Sequence, residues 1–274
     1  MPTNQKIQQI ERLTRLLILI TAAMLALLLI LTVVFFVTKS PGRPAKTPDQ
    51  TDDAGNTVVP DTPEDDGVTL PLTADAGLDY QDKIIFVGDS LTAHLINREV
   101  LTGGSATKQV WRCENNMMNL NSEVTAAKII YPGTGEKMTV AQAAGVAKPE
   151  IMIITLGTDW GVSYLGETEF KACYTDLIKA IQKASPKTEI ILQSIFPVTA
   201  GCVTLDNARI NTANKWVKAI AAENGCHYLD TQSILKDDKG NLKAEYCNSS
   251  DGIHMGRDAY VAILEYIRTH ALAE

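Results

Sequence analysis

Three residues of the types that cooperate in ester hydrolysis lie near the two ends of one stretch of the chain. Ser90 closes the triplet Gly88-Asp89-Ser90 after an apolar run, and Asp251 and His254 lie three residues apart in a polar turn. A serine nucleophile needs a base, and the base needs a group that fixes its tautomer. The spacing predicts that Asp251 and His254 bond each other within one turn. Asp and Ser are also ordinary helix caps, so Gly88-Asp89-Ser90 alone is not specific.

Strands and helices are predicted to alternate around these residues. Short apolar runs predict strands at residues 84–87, 109–111, 151–156, 189–196 and 227–229. Helical periodicity predicts helices at residues 91–101, 140–147, 167–184, 206–223 and 257–272. This alternation indicates a parallel sheet with helices on both faces, and its carboxyl edge is where sites form. Ser90 follows the first strand there, Gly88 is expected to permit the tight turn, and N–H groups at the helix start can bind an oxyanion.

The two terminal blocks resemble those of the SGNH/GDSL hydrolase superfamily. The first block is residues 86–92, Phe-Val-Gly-Asp-Ser-Leu-Thr, and the last is the Asp-x-x-His of Asp251 to His254. The resemblance spans residues 80–274 and implies a flavodoxin-like three-layer α/β/α sandwich with a parallel sheet. It also implies that Ser90 is the nucleophile and one oxyanion N–H donor, that His254 is the general base, and that Asp251 orients it.

The middle blocks depart from the pattern of that superfamily. Its third block is Gly-x-Asn-Asp, whose Asn donates to the oxyanion, but this chain has Gly157-Thr158-Asp159-Trp160, which puts Asp159 at the Asn position. An ionised carboxylate there would repel a developing oxyanion. The second block lacks its glycine, and our hypothesis is that the Asn115 or Asn116 side chain donates instead. Gly157 and Asp159 remain candidates for this part of the site.

The N-terminal region predicts a membrane anchor and a tether. Residues 1–15 form a short polar arm, and residues 16–37 carry no charge and would span roughly 33 Å as a helix. The apolar run is longer than the roughly 7–15 residues of a cleaved signal, which favours an anchor over a signal. Residues 38–79 contain most of the acidic excess and six of the eleven prolines, which predicts a disordered linker before a folded domain at residues 80–274.

The flanking charges do not define the orientation of this single-pass anchor, because basic residues flank it equally on both sides. We expect the N-terminus inside and the catalytic domain outside the cell membrane, since long C-terminal domains translocate largely regardless of charge. A cytoplasmic domain tethered to the inner face is the alternative.

The composition and the absence of known motifs argue against several other classes of ligand. The net charge is −7 and no basic stripe is present, so nucleic acid is not an expected partner. No metal box, phosphate loop or dinucleotide fingerprint occurs, and no cofactor is expected. The five cysteines form no C-x-x-C pair, which leaves open whether they are buried thiols or include one disulfide.

The favoured function is therefore a serine esterase that hydrolyses a small acyl ester, with acetyl on cell-surface carbohydrate as the first guess, through an acyl-serine intermediate. Trp111 and Trp160 either wall an acyl or sugar site or simply pack. Two alternatives stay open. One is an O-acyltransferase to a surface glycan, and the other is a catalytically inactive binding domain of the same fold.

Overall fold

Five parallel strands form one sheet in the computed structural model, which describes residues 66–158 and 160–273. The strands of this sheet are β1 (Ile84–Gly88), β2 (Val110–Trp111), β5 (Ile151–Thr155), β6 (Glu189–Gln193) and β7 (His227–Leu229). An antiparallel hairpin, β3 (Lys128–Ile130) and β4 (Lys137–Thr139), lies in the connection from β2 to β5. The order β2-β1-β5-β6-β7 is the 2-1-3-4-5 order of flavodoxin-like sheets when only these five strands are counted. The predicted parallel sheet is confirmed.

Helices cover both faces of the sheet. In chain order they are α1 (Gly77–Gln81), α2 (Ser90–Asn97), α3 (Val140–Ala147), α4 (Gly161–Tyr164), α5 (Glu167–Ala184), α6 (Asn207–Glu223), α7 (Gln232–Leu235) and α8 (Arg257–Arg268). Helices α3, α5 and α6 pack side by side and share one hydrophobic core. Helices α2, α7 and α8 contribute to a second core, and α1 packs against α8. The fold therefore has three layers.

Strand β5 shows why the sheet is covered on both sides. All five of its residues are buried. Successive side chains of a strand point to opposite faces, so Met152 and Ile154 join the core beneath α3, α5 and α6, whereas Ile151 and Ile153 join the other core. An unbroken apolar run is what a strand between two helical layers requires.

The ordered domain begins earlier than the predicted boundary at residue 80. Leu70 is buried, its N–H donates to the Tyr228 carbonyl at 2.9 Å, and the Tyr228 N–H donates to the Val68 carbonyl at 2.8 Å. Asp66 forms an ion pair with Lys218 on α6. Residues 68–70 thus cover the β7 edge of the sheet, which would otherwise expose unpaired backbone groups. The prediction of a disordered linker is wrong for residues 66–79.

The rest of the predicted N-terminal region, namely the arm at residues 1–15, the membrane helix at residues 16–37 and the linker up to residue 65, lies outside the described residues. Within residues 66–158 and 160–273, no helix combines the length and the apolar character needed to cross a bilayer.

Several element ends differ from the prediction. Helix α2 ends at Asn97 rather than at residue 101, because Glu99 adopts a positive φ of 51° that interrupts the helix. Strand β6 ends at Gln193 rather than at residue 196, and α8 ends at Arg268 rather than at residue 272. The hairpin β3–β4 and helices α1, α4 and α7 were not predicted, since they are too short to show a period.

Gly88 is required by the close approach of helix α2 and strand β5 rather than by its own backbone conformation. It is not among the glycines with positive φ, so the tight turn predicted here needs glycine because it lacks a Cβ and not because of a left-handed backbone. A Cβ on Gly88 would lie 2.1 Å from Thr92 Oγ1 and 2.3 Å from the Thr155 carbonyl oxygen. These atoms belong to α2 and β5, the two elements that border Ser90.

We therefore expect Gly88→Ala to lower the free energy of unfolding by about 3 kcal/mol, the upper range for overpacking. Gly145→Ala is the matched control, because its Cβ would meet Ala184 at an ordinary 3.5 Å, and alanine favours a helix over glycine by about 0.5–1 kcal/mol. Urea unfolding measures both variants. A Gly88→Ala protein as stable as Gly145→Ala would contradict this packing.

Candidate functional site

Ser90 is the first residue of α2, directly after β1. Asp89 caps the helix in an extended conformation, and its Oδ1 accepts a hydrogen bond from the Leu91 N–H at 3.1 Å. Strand β1 lies between β2 and β5, which is the point where the strand order reverses, and ligands of such sheets bind outside the carboxyl ends there. The fold thus places Ser90 in the crevice predicted from the sequence.

Asp251 and His254 lie in a small loop, residues 248–254, just before α8. An isolated antiparallel bridge between Cys247 and Met255 closes the neck of this loop, and the Asn248 N–H donates to the His254 carbonyl at 3.3 Å. We refer to residues 247–255 as the base loop. The predicted proximity of Asp251 and His254 within one turn is borne out by their contacts.

The structure brings Ser90, His254 and Asp251 into one line of hydrogen bonds. Ser90 Oγ lies 3.1 Å from His254 Nε2, and His254 Nδ1 lies 2.6 Å from Asp251 Oδ2. An ionised Asp251 can only accept, so the proton resides on Nδ1 and the lone pair of Nε2 faces the serine hydroxyl. The hydroxyl then donates to Nε2, which is the arrangement that a serine nucleophile and its base require.

Hydrogen bonds hold Asp251 in its ionised form. Partial burial by itself raises the pKa of this carboxyl, but the bond from the His254 side chain and those from the backbone N–H groups of Ile253 and His254 outweigh it and hold the pKa well below its usual range. The backbone N–H groups reach Oδ1 at 2.7 Å and 3.0 Å, which leaves Oδ2 for the imidazole. The carboxylate is therefore both charged and oriented.

The tip of the base loop is fixed by the segment that follows β6. The Thr199 N–H donates to the Gly252 carbonyl at 2.9 Å. Gly252 has a φ of 75°, and a Cβ there would lie 2.4 Å from Thr199 Oγ1 and 3.2 Å from Cys202 Cβ. Glycine is needed at this position for its backbone conformation and for the close contact.

Two residues that the sequence did not mark as functional also contact the base loop. The His94 ring lies 4.8 Å from the His254 ring, and Arg98 donates hydrogen bonds to Asn248 and Met255. Their spacing from Ser90, four and eight residues along one helix, is the signal that could have identified them.

The two candidate oxyanion donors, Asn115 and Asn116, differ in their hydrogen bonds and in their exposure. The Asn116 Oδ1 accepts from Arg112 Nη1 at 2.6 Å, and the Asn115 Oδ1 accepts from the Met117 N–H at 3.0 Å. Asn115 is exposed and Asn116 is partly buried. In the described part of the chain, no hydrogen bond joins either side chain to Ser90 or His254. Both follow β2, the strand beside β1.

Gly157 lies in the loop after β5, on the other side of β1. It is buried with a φ of 125°, and a Cβ there would lie 2.7 Å from Ile195 Cδ1, so it serves the packing of the loop. Asp159, the residue predicted at the Asn position, lies outside the described residues.

The two tryptophans have different environments. Trp111 is 2% exposed and belongs to the core, so it packs and does not wall a site. Trp160 is 46% exposed, and its ring lies 4.6 Å from that of Tyr164, which is 68% exposed. Trp160 also has the unusual backbone angles φ 72° and ψ −52°. Residues in such sparsely populated regions persist only where their surroundings hold them, and they cluster at functional sites.

Thiols and metal ligands do not form a second centre among residues 66–158 and 160–273. All five cysteines are free, and Cys113, Cys173 and Cys226 are buried. Within the same ranges, no group of three or more His, Cys, Asp or Glu side chains could hold a metal ion.

A family model described as the GDSL-like Lipase/Acylhydrolase family matches residues 86–262, which include Ser90, Asp251 and His254. A search of curated proteins finds no match.

Solved structures with a similar fold include three bacterial proteins. A Streptococcus pneumonia protein assigned as a platelet activating factor has a TM-score of 0.46 and 17% identity, over 67% of this chain and 81% of that chain. A GDSL-like lipase from Bacteroides thetaiotaomicron has a TM-score of 0.43 and 16% identity, over 72% and 88%. A family two carbohydrate esterase from Clostridium thermocellum has a TM-score of 0.46 and 14% identity, over 68% and 61%. None of these TM-scores reaches 0.5, so the relationship rests on the family model.

Proposed function

Because this chain belongs to the GDSL-like lipase/acylhydrolase family and is an ester-hydrolysing enzyme, we propose that it is a serine esterase that removes a small acyl group, acetyl in the first instance, from cell-surface carbohydrate. The single observation that carries the proposal is the line of hydrogen bonds from Ser90 through His254 to Asp251. In this proposal, these three side chains carry out the nucleophilic attack and the proton transfers, and separate donors stabilise the oxyanion.

The reaction proceeds in two steps. Ser90 Oγ bonds to the acyl carbon while His254 Nε2 takes its proton, which gives a tetrahedral oxyanion. Collapse of this intermediate breaks the bond to the leaving alcohol oxygen, and His254 returns the proton to that oxygen. Water then attacks the acyl-serine, its proton passes to His254, and a second collapse releases the carboxylic acid and restores Ser90. Asp251 stays ionised throughout and stabilises the imidazolium.

Ser90→Ala in the full-length protein should lower kcat on p-nitrophenyl acetate by a factor on the order of 10⁴ to 10⁶, since removing the nucleophile abolishes the acyl-enzyme route. Thermal unfolding of the same variant controls for its fold. Equal turnover by the wild type and Ser90→Ala would end the esterase proposal and favour the binding domain.

The oxyanion donors in this proposal are the Ser90 N–H and the Asn116 side chain. The Ser90 N–H lies at the start of α2, where the N–H groups lack partners within the helix. Arg112 occupies Oδ1 of Asn116, which leaves the Nδ2 group of that amide to donate. Asn116 is also less exposed than Asn115, so its position is better defined.

We expect Asn116→Ala to lower kcat by about 100- to 1,000-fold, the usual cost of one oxyanion donor. Asn115→Ala is the matched control and should retain most of the activity, because its amide caps its own turn. Steady-state kinetics on p-nitrophenyl acetate measure both. If both variants keep wild-type turnover, the oxyanion is stabilised elsewhere.

Carbohydrate as the alcohol part of the ester is supported by the exposed pair of Trp160 and Tyr164. Trp and Tyr are enriched at binding surfaces, and the flat faces of these two exposed rings can stack against apolar faces of a ligand. The pair lies in the segment after β5, the neighbour of β1 in the sheet. A location outside the cell is supported by the uncharged sequence of residues 16–37 followed by a long C-terminal domain, since such domains translocate largely regardless of charge.

Trp160→Ala should lower kcat/KM for an acetylated oligosaccharide by about 5- to 10-fold, which corresponds to roughly 1 kcal/mol of lost contact. Turnover of p-nitrophenyl acetate, which has no sugar, should stay near the wild-type value, and Trp160→Phe should keep much of the preference. A parallel loss on both substrates in Trp160→Ala would place Trp160 in the fold rather than in sugar binding.

A further inference from the structure

Helix α2 and its C-cap residue, Arg98, present three residues of one face to the base loop. Ser90, His94 and Arg98 recur every four residues, and residues at this spacing are neighbours on a helix surface, about 6 Å apart along the axis. Ser90 faces His254 Nε2, His94 lies against the His254 ring, and Arg98 reaches the neck of the loop. The helix that carries the nucleophile therefore contacts the base loop at three levels.

Arg98 donates hydrogen bonds to both ends of the base loop where they meet at its neck. Its Nε and Nη2 groups donate to the Met255 carbonyl at 3.1 Å and 2.8 Å, and Nη2 also donates to Asn248 Oδ1 at 2.9 Å. Hydrogen bonds from an ionised donor are roughly twice as strong as neutral ones, and the planar guanidinium holds two acceptors in a fixed geometry. Met255 follows His254 directly, so the hydrogen bonds from Arg98 to Met255 lie one peptide unit from the base.

The uncharged ring of His94 lies beside His254. Burial, together with the positive charges of His254 and Arg98, lowers the pKa of His94 to about 4, against the opposing effect of Asp251. At neutral pH His94 is therefore uncharged and adds no repulsion when His254 becomes an imidazolium. Within the described part of the chain, its Nδ1 is buried without a hydrogen-bond partner, so the ring acts through packing.

We propose that Arg98 is a positioning residue that sets the distance between Ser90 Oγ and His254 Nε2 by tying the neck of the base loop to the helix of the nucleophile. The proposal rests on the proposed esterase function. No other charged side chain is hydrogen-bonded to both Asn248 and Met255 among residues 66–158 and 160–273. Without Arg98, the neck of the base loop loses this guanidinium contact. A misplacement of reacting groups by about 1 Å can cost on the order of 100-fold in rate.

The chain offers a matched control in Arg268. Its Nε donates to Asp75 at 3.0 Å and 3.4 Å, and its Nη1 donates to Gln81 at 3.0 Å. Arg268 thus also ties two distant segments with one guanidinium, but at the far end of α8 from the base loop. Loss of either arginine removes a comparable set of hydrogen bonds.

The test compares Arg98→Ala, Arg98→Lys and Arg268→Ala in the full-length protein. We expect Arg98→Ala to lower kcat on p-nitrophenyl acetate by about 10- to 100-fold with little change in KM. Arg98→Lys should recover part of this loss, because an ammonium can donate to the Met255 carbonyl but lacks the planar fork. Arg268→Ala should lower thermal stability without this loss of kcat. Wild-type kcat in Arg98→Ala, or an equal loss in Arg268→Ala, would overturn the proposal.

A second readout does not depend on turnover. The proton that His254 Nδ1 donates to Asp251 should give a far-downfield proton NMR signal in the wild type, and this signal should broaden or shift in Arg98→Ala but persist in Arg268→Ala. An unchanged signal in folded Arg98→Ala would overturn the positioning role. Absence of ester turnover in the wild type would instead refute the proposed function, while the signal would still report on Arg98.

Discussion

The 3.1 Å contact between Ser90 Oγ and His254 Nε2 joins two segments that are 164 residues apart in the chain, and the rest of the domain serves to maintain it. Neither partner is held by its own segment alone. Ser90 is positioned by β1 and α2, whose junction depends on the close approach of Thr92 and Thr155 to Gly88. His254 is positioned by a short loop between β7 and α8. The two reach the same crevice only because the parallel strands end at one edge of the sheet.

The base loop is short and partly exposed, so its order depends on contacts outside it. Thr199 binds its tip through the Gly252 carbonyl, and Arg98 binds its neck. Within the loop, Asp251 accepts three hydrogen bonds, one from the imidazole and two from the backbone. The same carboxylate therefore shapes the turn and fixes the tautomer of the base. This explains how a loop rather than a helix or strand can present a catalytic pair.

The two sides of the His254 ring face groups of different charge. Asp251 is held ionised on one side of His254, whereas His94 is held neutral on the other. An imidazolium formed during the reaction meets an anion on one side and an uncharged ring on the other, while Arg98 donates to neutral groups at the neck of the loop.

Much of this site could be predicted from the sequence, because Ser90, Asp251 and His254 stand at positions where strand-to-helix and loop-to-helix junctions are evident from local pattern. Helices α3 and α5 were predicted with the same residue bounds that the structure has, for the same reason. The packing of residues 66–79 could not be predicted, since it depends on backbone pairing with distant Tyr228. Arg98 was missed because its partners, the side-chain amide of Asn248 and the carbonyl of Met255, lie 150 and 157 residues away.

We infer that His254 activates Ser90 for attack. This activation can be tested by mass-spectrometric identification of the residue that a phosphonofluoridate labels in the full-length protein, with the labelling rate compared between the wild type and His254→Ala. We expect a single label on Ser90 and much slower labelling in His254→Ala, because without the imidazole the hydroxyl keeps its proton. Labelling of another residue, or an equal rate in the two proteins, would contradict it.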